Sequence, residues 1–200
     1  MKKLNLALLT ITLSAACAST SVFAADGTIT VNGKVVTSTC TLSGSSGASG
    51  TGSNVALTLN TVRNDAFNAV GSVQAQKSFT LSVTNSGGSA ACDAVTIGGI
   101  KNITLSGTSG TDYDGANKTY LINQDTTAPA TKDVYVQILG TDLATPIDFS
   151  STKQLGAPTI TGSGANTTGT YTLAARYISK VVNPAAQTVL AKINYTLEYN

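Results

Sequence analysis

The chain has 200 residues, 12 basic against 10 acidic, with 19 glycines, three cysteines, no histidine and no tryptophan. That charge balance argues against a nucleic-acid or anionic-membrane binder, both of which call for a basic excess. The missing histidine removes the commonest general base and the commonest zinc ligand.

Residues 1–24 read as an export signal, with Lys2 and Lys3 as the basic start, an apolar run over 4–13, and Val22-Phe23-Ala24 before the cleavage point. The run is too short to cross a membrane, and no later stretch approaches 18 apolar residues. Cys17 offers a rival, cleavage at a lipidated cysteine after Ser14-Ala15-Ala16, although Ser14 stands where a large aliphatic residue is usual. Cleavage after Ala24 leaves 200 − 24 = 176 residues, with ten basic and ten acidic side chains once Lys2 and Lys3 are gone. This is one domain with a real core, and near-zero net charge tolerates self-association.

The stretch 25–36 is predicted to be a β-strand of β-branched residues, with Ile29 and Val31 on one face and Thr28, Thr30 and Asn32 on the other. Gly27 and Gly33 share the apolar face, and glycine within a strand marks a close approach of another backbone. A strand at a free terminus, apolar and notched in this way, suits insertion into a neighbour's groove. Cys40 and Cys92 are the pair left after cleavage, and in an oxidising compartment they read as a disulfide; two buried free thiols are the alternative.

Short runs of period two follow at 55–59, 79–83, 95–97, 103–105, 134–138 and 171–173, split by Gly, Ser, Asn and Asp. Such spacing predicts an all-β sandwich. Residues 61–70 are predicted to hold at most a helical turn, with Val62, Ala66 and Ala69 on one side. The Ser/Gly-rich segment 43–54 reads as a surface loop rather than a linker, as does 162–169. In 189–200 the odd positions Val189, Ala191, Ile193, Tyr195, Leu197 and Tyr199 are apolar or aromatic. This predicts a strand of 12 residues, about 40 Å long at about 3.3 Å per residue. Such a strand needs a neighbour or becomes an aggregation edge; a central strand paired on both sides is the alternative.

No catalytic, cofactor or metal site emerges. Thr-Asp-Tyr-Asp-Gly at 111–115 lacks the further spaced acids and closing Glu of a calcium loop, so Asp112 and Asp114 read as a polar turn. The Asn-X-Thr triplets at Asn102, Asn117, Asn166 and Asn194 read as strand and turn residues. The expectation is a protein that is not an enzyme, with no small-molecule substrate and no nucleic-acid partner.

With these features together, the chain resembles the type 1 fimbrial (chaperone–usher) pilins, most closely their major shaft subunits. The matching residues are Gly-Thr-Ile-Thr-Val-Asn-Gly-Lys-Val-Val at 27–36 with Cys40 after it, Cys92, Val136-Gln137-Ile138-Leu139, Ala175-Arg176-Tyr177, and a last strand with Tyr199 penultimate. The resemblance implies an incomplete immunoglobulin-like sandwich, completed when another subunit's N-terminal extension enters its groove. It implies a signal peptide at 1–24, a donor-strand extension at 25–34 and a pilin domain at 35–200. Ala25, Gly27, Ile29, Val31 and Gly33 would face the groove, with Gly27 at a constriction that admits only glycine. Cys40 and Cys92 would be the family's disulfide. Ile193, Tyr195, Leu197, Tyr199 and the Asn200 carboxylate would meet a periplasmic chaperone, which hands the subunit to an outer-membrane usher. Gln187 departs from the glycine that some relatives carry 14 residues from the C-terminus. The implied protein is an exported structural subunit of a surface fimbria, serving attachment or biofilm. A monomeric secreted β-sandwich that binds carbohydrate or another small ligand is the rival, and seven scattered tyrosines without tryptophan do not favour it.

Overall fold

A computed structural model describes residues 35, 39–52 and 54–200. The expected signal peptide and extension lie outside these residues, and 34–200 form one compact unit. Among the described residues the named strands pair antiparallel. The larger sheet orders β1 (Thr41–Ser45), β4 (Val73–Thr84), β9 (Thr168–Ser179) and β6 (Val134–Leu139), with β8 (Thr159–Thr161) also on β9. The smaller sheet orders β10 (Asn194–Tyr199), β5 (Ile100–Ser106) and β7 (Lys153–Gln154). Two-residue strands β2 (Ala48–Ser49) and β3 (Ala56–Leu57) pair with each other.

The core draws on both sheets, which is what makes this a sandwich. Leu42, Leu81, Val83, Tyr171 and Leu173 come from the larger sheet, Ile103 and Leu105 from the smaller. In β4, Phe79, Leu81 and Val83 are buried while Thr80, Ser82 and Thr84 are only partly so, the period-two burial expected of a strand. The strands read from 79–83, 103–105, 134–138 and 171–173 are all present as parts of β4, β5, β6 and β9.

Four local readings change. Residues 95–97 are not a strand but part of a short helix, α1 (Ala94–Ile97). Asp93 caps it by accepting the Thr96 N–H at 2.9 Å, so a capping carboxylate outweighs three alternating residues. Gly169 lets α1 settle on β9, because a Cβ there would lie 2.9 Å from the Ile97 Cγ2. The segment 43–54 is not simply a surface loop: β1 runs to Ser45, the chain turns at Ser46 and Gly47, and Thr51 bridges back to Ser43. In 55–59 only Ala56 and Leu57 are in a ladder. The 12-residue final strand is half that length, because only Asn194–Tyr199 joins a sheet. The preceding residues are held instead by Asn123 and by the Gln124 N–H, which donates to the Leu190 carbonyl at 2.6 Å. The turn expected in 61–70 is a single 3-10 turn at Asn64–Ala66, beside buried Phe67.

Candidate functional site

β10 lies at the edge of the smaller sheet. One side pairs with β5, from Asn194 opposite Ser106 to Tyr199 opposite Ile100, with an irregularity between Glu198 and Tyr199. Among the described residues its other side has no strand partner. Ile193, Tyr195, Leu197 and Tyr199 are half-buried and pack against the core, while Lys192, Asn194 and Thr196 are exposed. A second row, at 55–59, has the same character. Val55, Leu57 and Leu59 are half-buried against the core, and Ala56 and Thr58 are exposed. Apolar rows that reach the core yet stay half open are the mark of a sandwich margin with room for another element.

A groove of about 440 Å³ runs between β10 and the entry to β1, with Thr39, Cys40 and Thr41 on one wall and residues of 193–199 on the other. Gly107 leaves room for the Ile193 side chain, since a Cβ there would come within 2.8 Å of the Ile193 Cδ1. Two tyrosine hydroxyls cross the groove. Tyr199 Oη accepts the Cys40 N–H at 2.8 Å. Tyr195 donates its O–H to the Gly52 carbonyl at 2.7 Å, and Thr41 Oγ1 lies 3.3 Å from the same hydroxyl. Below them the buried Tyr171 donates to the Gly156 carbonyl at 3.1 Å, and burial first, then the nearby Tyr199, pushes its phenol above its ordinary pKa.

Cys40 and Cys92 are disulfide-bonded, with their Cα atoms 5.8 Å apart. The bond anchors the groove's first wall to the residue before the Asp93 cap. At the far end of β10, Asn102 Nδ2 donates to the Glu198 carboxylate at 3.3 Å and the Asn200 N–H donates to the Gly99 carbonyl at 2.9 Å.

The structure therefore brings Ile193, Tyr195, Leu197 and Tyr199 together along one groove and places Asn200 at its end. Ala25, Gly27, Ile29, Val31 and Gly33 lie outside the described residues. Sequence reasoning read the alternation at 55–59 but did not mark Val55, Leu57 and Leu59 as a second half-buried row. It also missed Asn123, which is 1 % exposed and sets the approach to β10, and no pattern marks a lone buried asparagine. Gln187 takes part in the same tie, its Oε1 accepting from Asn123 Nδ2 at 3.1 Å.

Asp112 and Asp114 lie in a polar turn. Asp114 accepts the N–H groups of Ala116 and Asn117 and pairs with Lys180 at 2.6 Å, so its oxygens are engaged within the protein. Among the described residues no three acidic, histidine or cysteine side chains gather as a metal would require, and no helix is long and apolar enough to cross a membrane.

No protein-family profile matches the sequence, and no curated protein matches it. Solved structures do. The chain resembles a tip adhesin, CupB6, from Pseudomonas aeruginosa, at 16% identity and a TM-score of 0.44; the match covers 66% of this chain and 32% of the adhesin, so the chain spans about a third of that protein's length. It resembles a subunit of a chaperone–usher pilus solved to explain rod uncoiling, at 16% identity and a TM-score of 0.48, covering 88% of this chain and 96% of the other. It also resembles the P pilus rod subunit PapA, at 16% identity and a TM-score of 0.50, over 86% of this chain and 99% of PapA. The antiparallel sandwich thus has the immunoglobulin-like pilin fold of a pilus rod subunit.

Proposed function

We propose that the chain is a structural, non-catalytic subunit of a chaperone–usher fimbria, polymerising head to tail. The observation that carries this reading is the side of β10 that has no strand partner among the described residues, with its half-buried Ile193, Tyr195, Leu197 and Tyr199 beside the groove. A strand from a second copy would cover that row and pair with the edge. The residues for the task are Ala25, Gly27, Ile29, Val31 and Gly33, exposed as an N-terminal extension when residues 1–24 are removed. Burying Ile29 and Val31 would contribute roughly 1.5–3 kcal/mol each. A contact in which one end of a copy fills the other end of the next does not close on itself, so it builds a filament.

In this reading the subunit passes through the periplasm, where a chaperone covers the residues of β10 and an outer-membrane usher receives the complex. It then joins copies of itself and other pilus subunits at the cell surface, in a filament that serves attachment and biofilm. Electron microscopy of surface-sheared material, with mass spectrometry for this chain, tests the proposal. Filaments containing the chain with Ala25 as its first residue are expected. A stable, soluble monomer on size exclusion, with no filaments, would overturn it in favour of a secreted ligand-binding sandwich.

A further inference from the structure

The two tyrosines that cross the groove bond to particular backbone groups. Residues 50–52 run back along β1: the Gly44 N–H donates to the Gly50 carbonyl and the Gly52 N–H to the Leu42 carbonyl, both at 2.9 Å, and Ser43 bridges Thr51. Among the described residues this short ladder reaches as far as Gly52. At its open end a donor, the Cys40 N–H, and an acceptor, the Gly52 carbonyl, need partners. Among the described residues neither takes a backbone group; Tyr199 Oη and the Tyr195 O–H fill the two places, at 2.8 and 2.7 Å. Both tyrosines belong to the opposite wall, so the bonds tie β10 across the groove to the mouth of β1.

We propose that Tyr195 and Tyr199 form a hydroxyl latch, which occupies Cys40 N–H and Gly52 C=O until an incoming strand displaces it. The proposal rests on the strand-addition reading and names how that site is regulated. A strand that adds to an edge gains its affinity from backbone hydrogen bonds, and the latch engages two such groups in advance. Every arriving segment meets the same opposition. A segment with little apolar surface gains too little elsewhere to overcome it, whereas one carrying side chains such as Ile29 and Val31 does. The latch also keeps the open end of the ladder from offering bare backbone groups to unrelated chains. Each aromatic ring loses little conformational freedom in holding the bond, having only two side-chain torsions.

The test uses the mature, disulfide-bonded chain carrying Ile29→Asp to keep copies apart. The probe is a fluorescent synthetic peptide with the sequence of residues 25–36. Tyr195→Phe, Tyr199→Phe, the double variant and the milder Thr41→Val are compared by amide exchange at Cys40 and by peptide binding. A net hydrogen bond of ordinary strength corresponds to about fivefold in affinity. Each phenylalanine variant is therefore expected to bind the peptide about fivefold more tightly, and the double variant tenfold or more. Thr41→Val should give a smaller gain, and Tyr199→Phe should speed exchange at Cys40. Unchanged exchange in Tyr199→Phe overturns the latch, whatever the peptide does. Faster exchange with weaker binding also overturns it, because the hydroxyls would then be holding the groove open for the strand. Faster exchange with no peptide binding by any chain sinks the strand-addition reading itself, and the latch with it.

Discussion

Asn123 is 1 % exposed, donates from Nδ2 to the Thr188 carbonyl at 2.7 Å, and accepts the Leu190 N–H on Oδ1 at 3.0 Å. The same side chain reaches Gln187 Oε1 and the Asp125 N–H. One residue of the long β5–β6 connection thus holds the segment that delivers the chain into β10. Replacing it with alanine would leave buried donors and acceptors without partners, each a loss of about 1–3 kcal/mol. Asn123→Ala is expected to lower stability by about 3 kcal/mol, read as a shift of the urea midpoint at constant slope. A loss below about 1 kcal/mol would show that this tie does not position the segment.

The ion pair of Asp114 with Lys180 gives an acid-sensitive contribution. Burial raises the Asp114 pKa, but the hydrogen bonds from Lys180 and from the Asn117 and Ala116 N–H groups outweigh it and bring the carboxyl to about 2. Because the folded value is depressed, the stabilisation is complete above the ordinary carboxylate value of 3.8 and disappears as pH falls toward 2. For this partly exposed pair it amounts to about 1–2 kcal/mol. Lys180 has the complementary behaviour: burial lowers its pKa, but the bonds to Asp114 and Tyr135 raise it overall, so its share is lost at pH values above its ordinary 10.5. Asp114→Asn should flatten the unfolding midpoint between pH 4 and 2 relative to the parent chain. Equal slopes for the two in that window would remove the pair from the account.

Much of this architecture was legible, and the failures share a cause. β6 and β9 follow from the period-two runs at 134–138 and 171–173, and the register sets Gln137 and Arg176 opposite each other, with Arg176 Nε donating to Gln137 Oε1 at 2.9 Å. The apolar side of 193–199 was also read correctly, because a half-buried edge strand alternates as strictly as any. What periodicity could not see was competition from side chains. Asp93 turns an alternating triplet into a helix, and Asn123 draws 187–190 away from the sheet although Val189 and Ala191 continue the strand pattern. The tyrosine crossings were equally hidden, since Cys40 and Tyr199 are 159 positions apart.

The disulfide should be the largest single constraint on the first wall of the groove. It joins positions 52 residues apart, and closing a loop of that length disfavours the unfolded chain by about 4 kcal/mol in the chain-entropy treatment. Replacing Cys40 and Cys92 together by alanine is expected to cost about that much in a denaturant titration. Amide exchange at position 40 should also rise, since without the disulfide this wall is left with hydrogen bonds to β10, such as that from the backbone N–H at position 40 to the Tyr199 hydroxyl. A loss under about 2 kcal/mol would mean that the sandwich fixes this wall without the bond.

In the proposed assembly, giving a strand and receiving one would use different residues of the same polypeptide, so each role could be removed separately. Ile29→Asp would place a carboxylate among the apolar groups of a neighbour's groove, where an unpaired charge is strongly disfavoured, and such a chain should receive but not give. Leu197→Asp puts the charge on the half-buried face of β10, and that chain should give but not receive. Alone, neither variant should form filaments. Mixed in equal amounts they should form one product, a dimer in which the extension of the Leu197→Asp chain fills the groove of the Ile29→Asp chain. Its two remaining ends are the disabled ones, so growth stops there. Native mass spectrometry of the mixture reads the outcome directly. Filaments from either variant alone would show that these residues do not govern assembly, and a mixture that stays monomeric would show that the extension and the β10 groove are not partners.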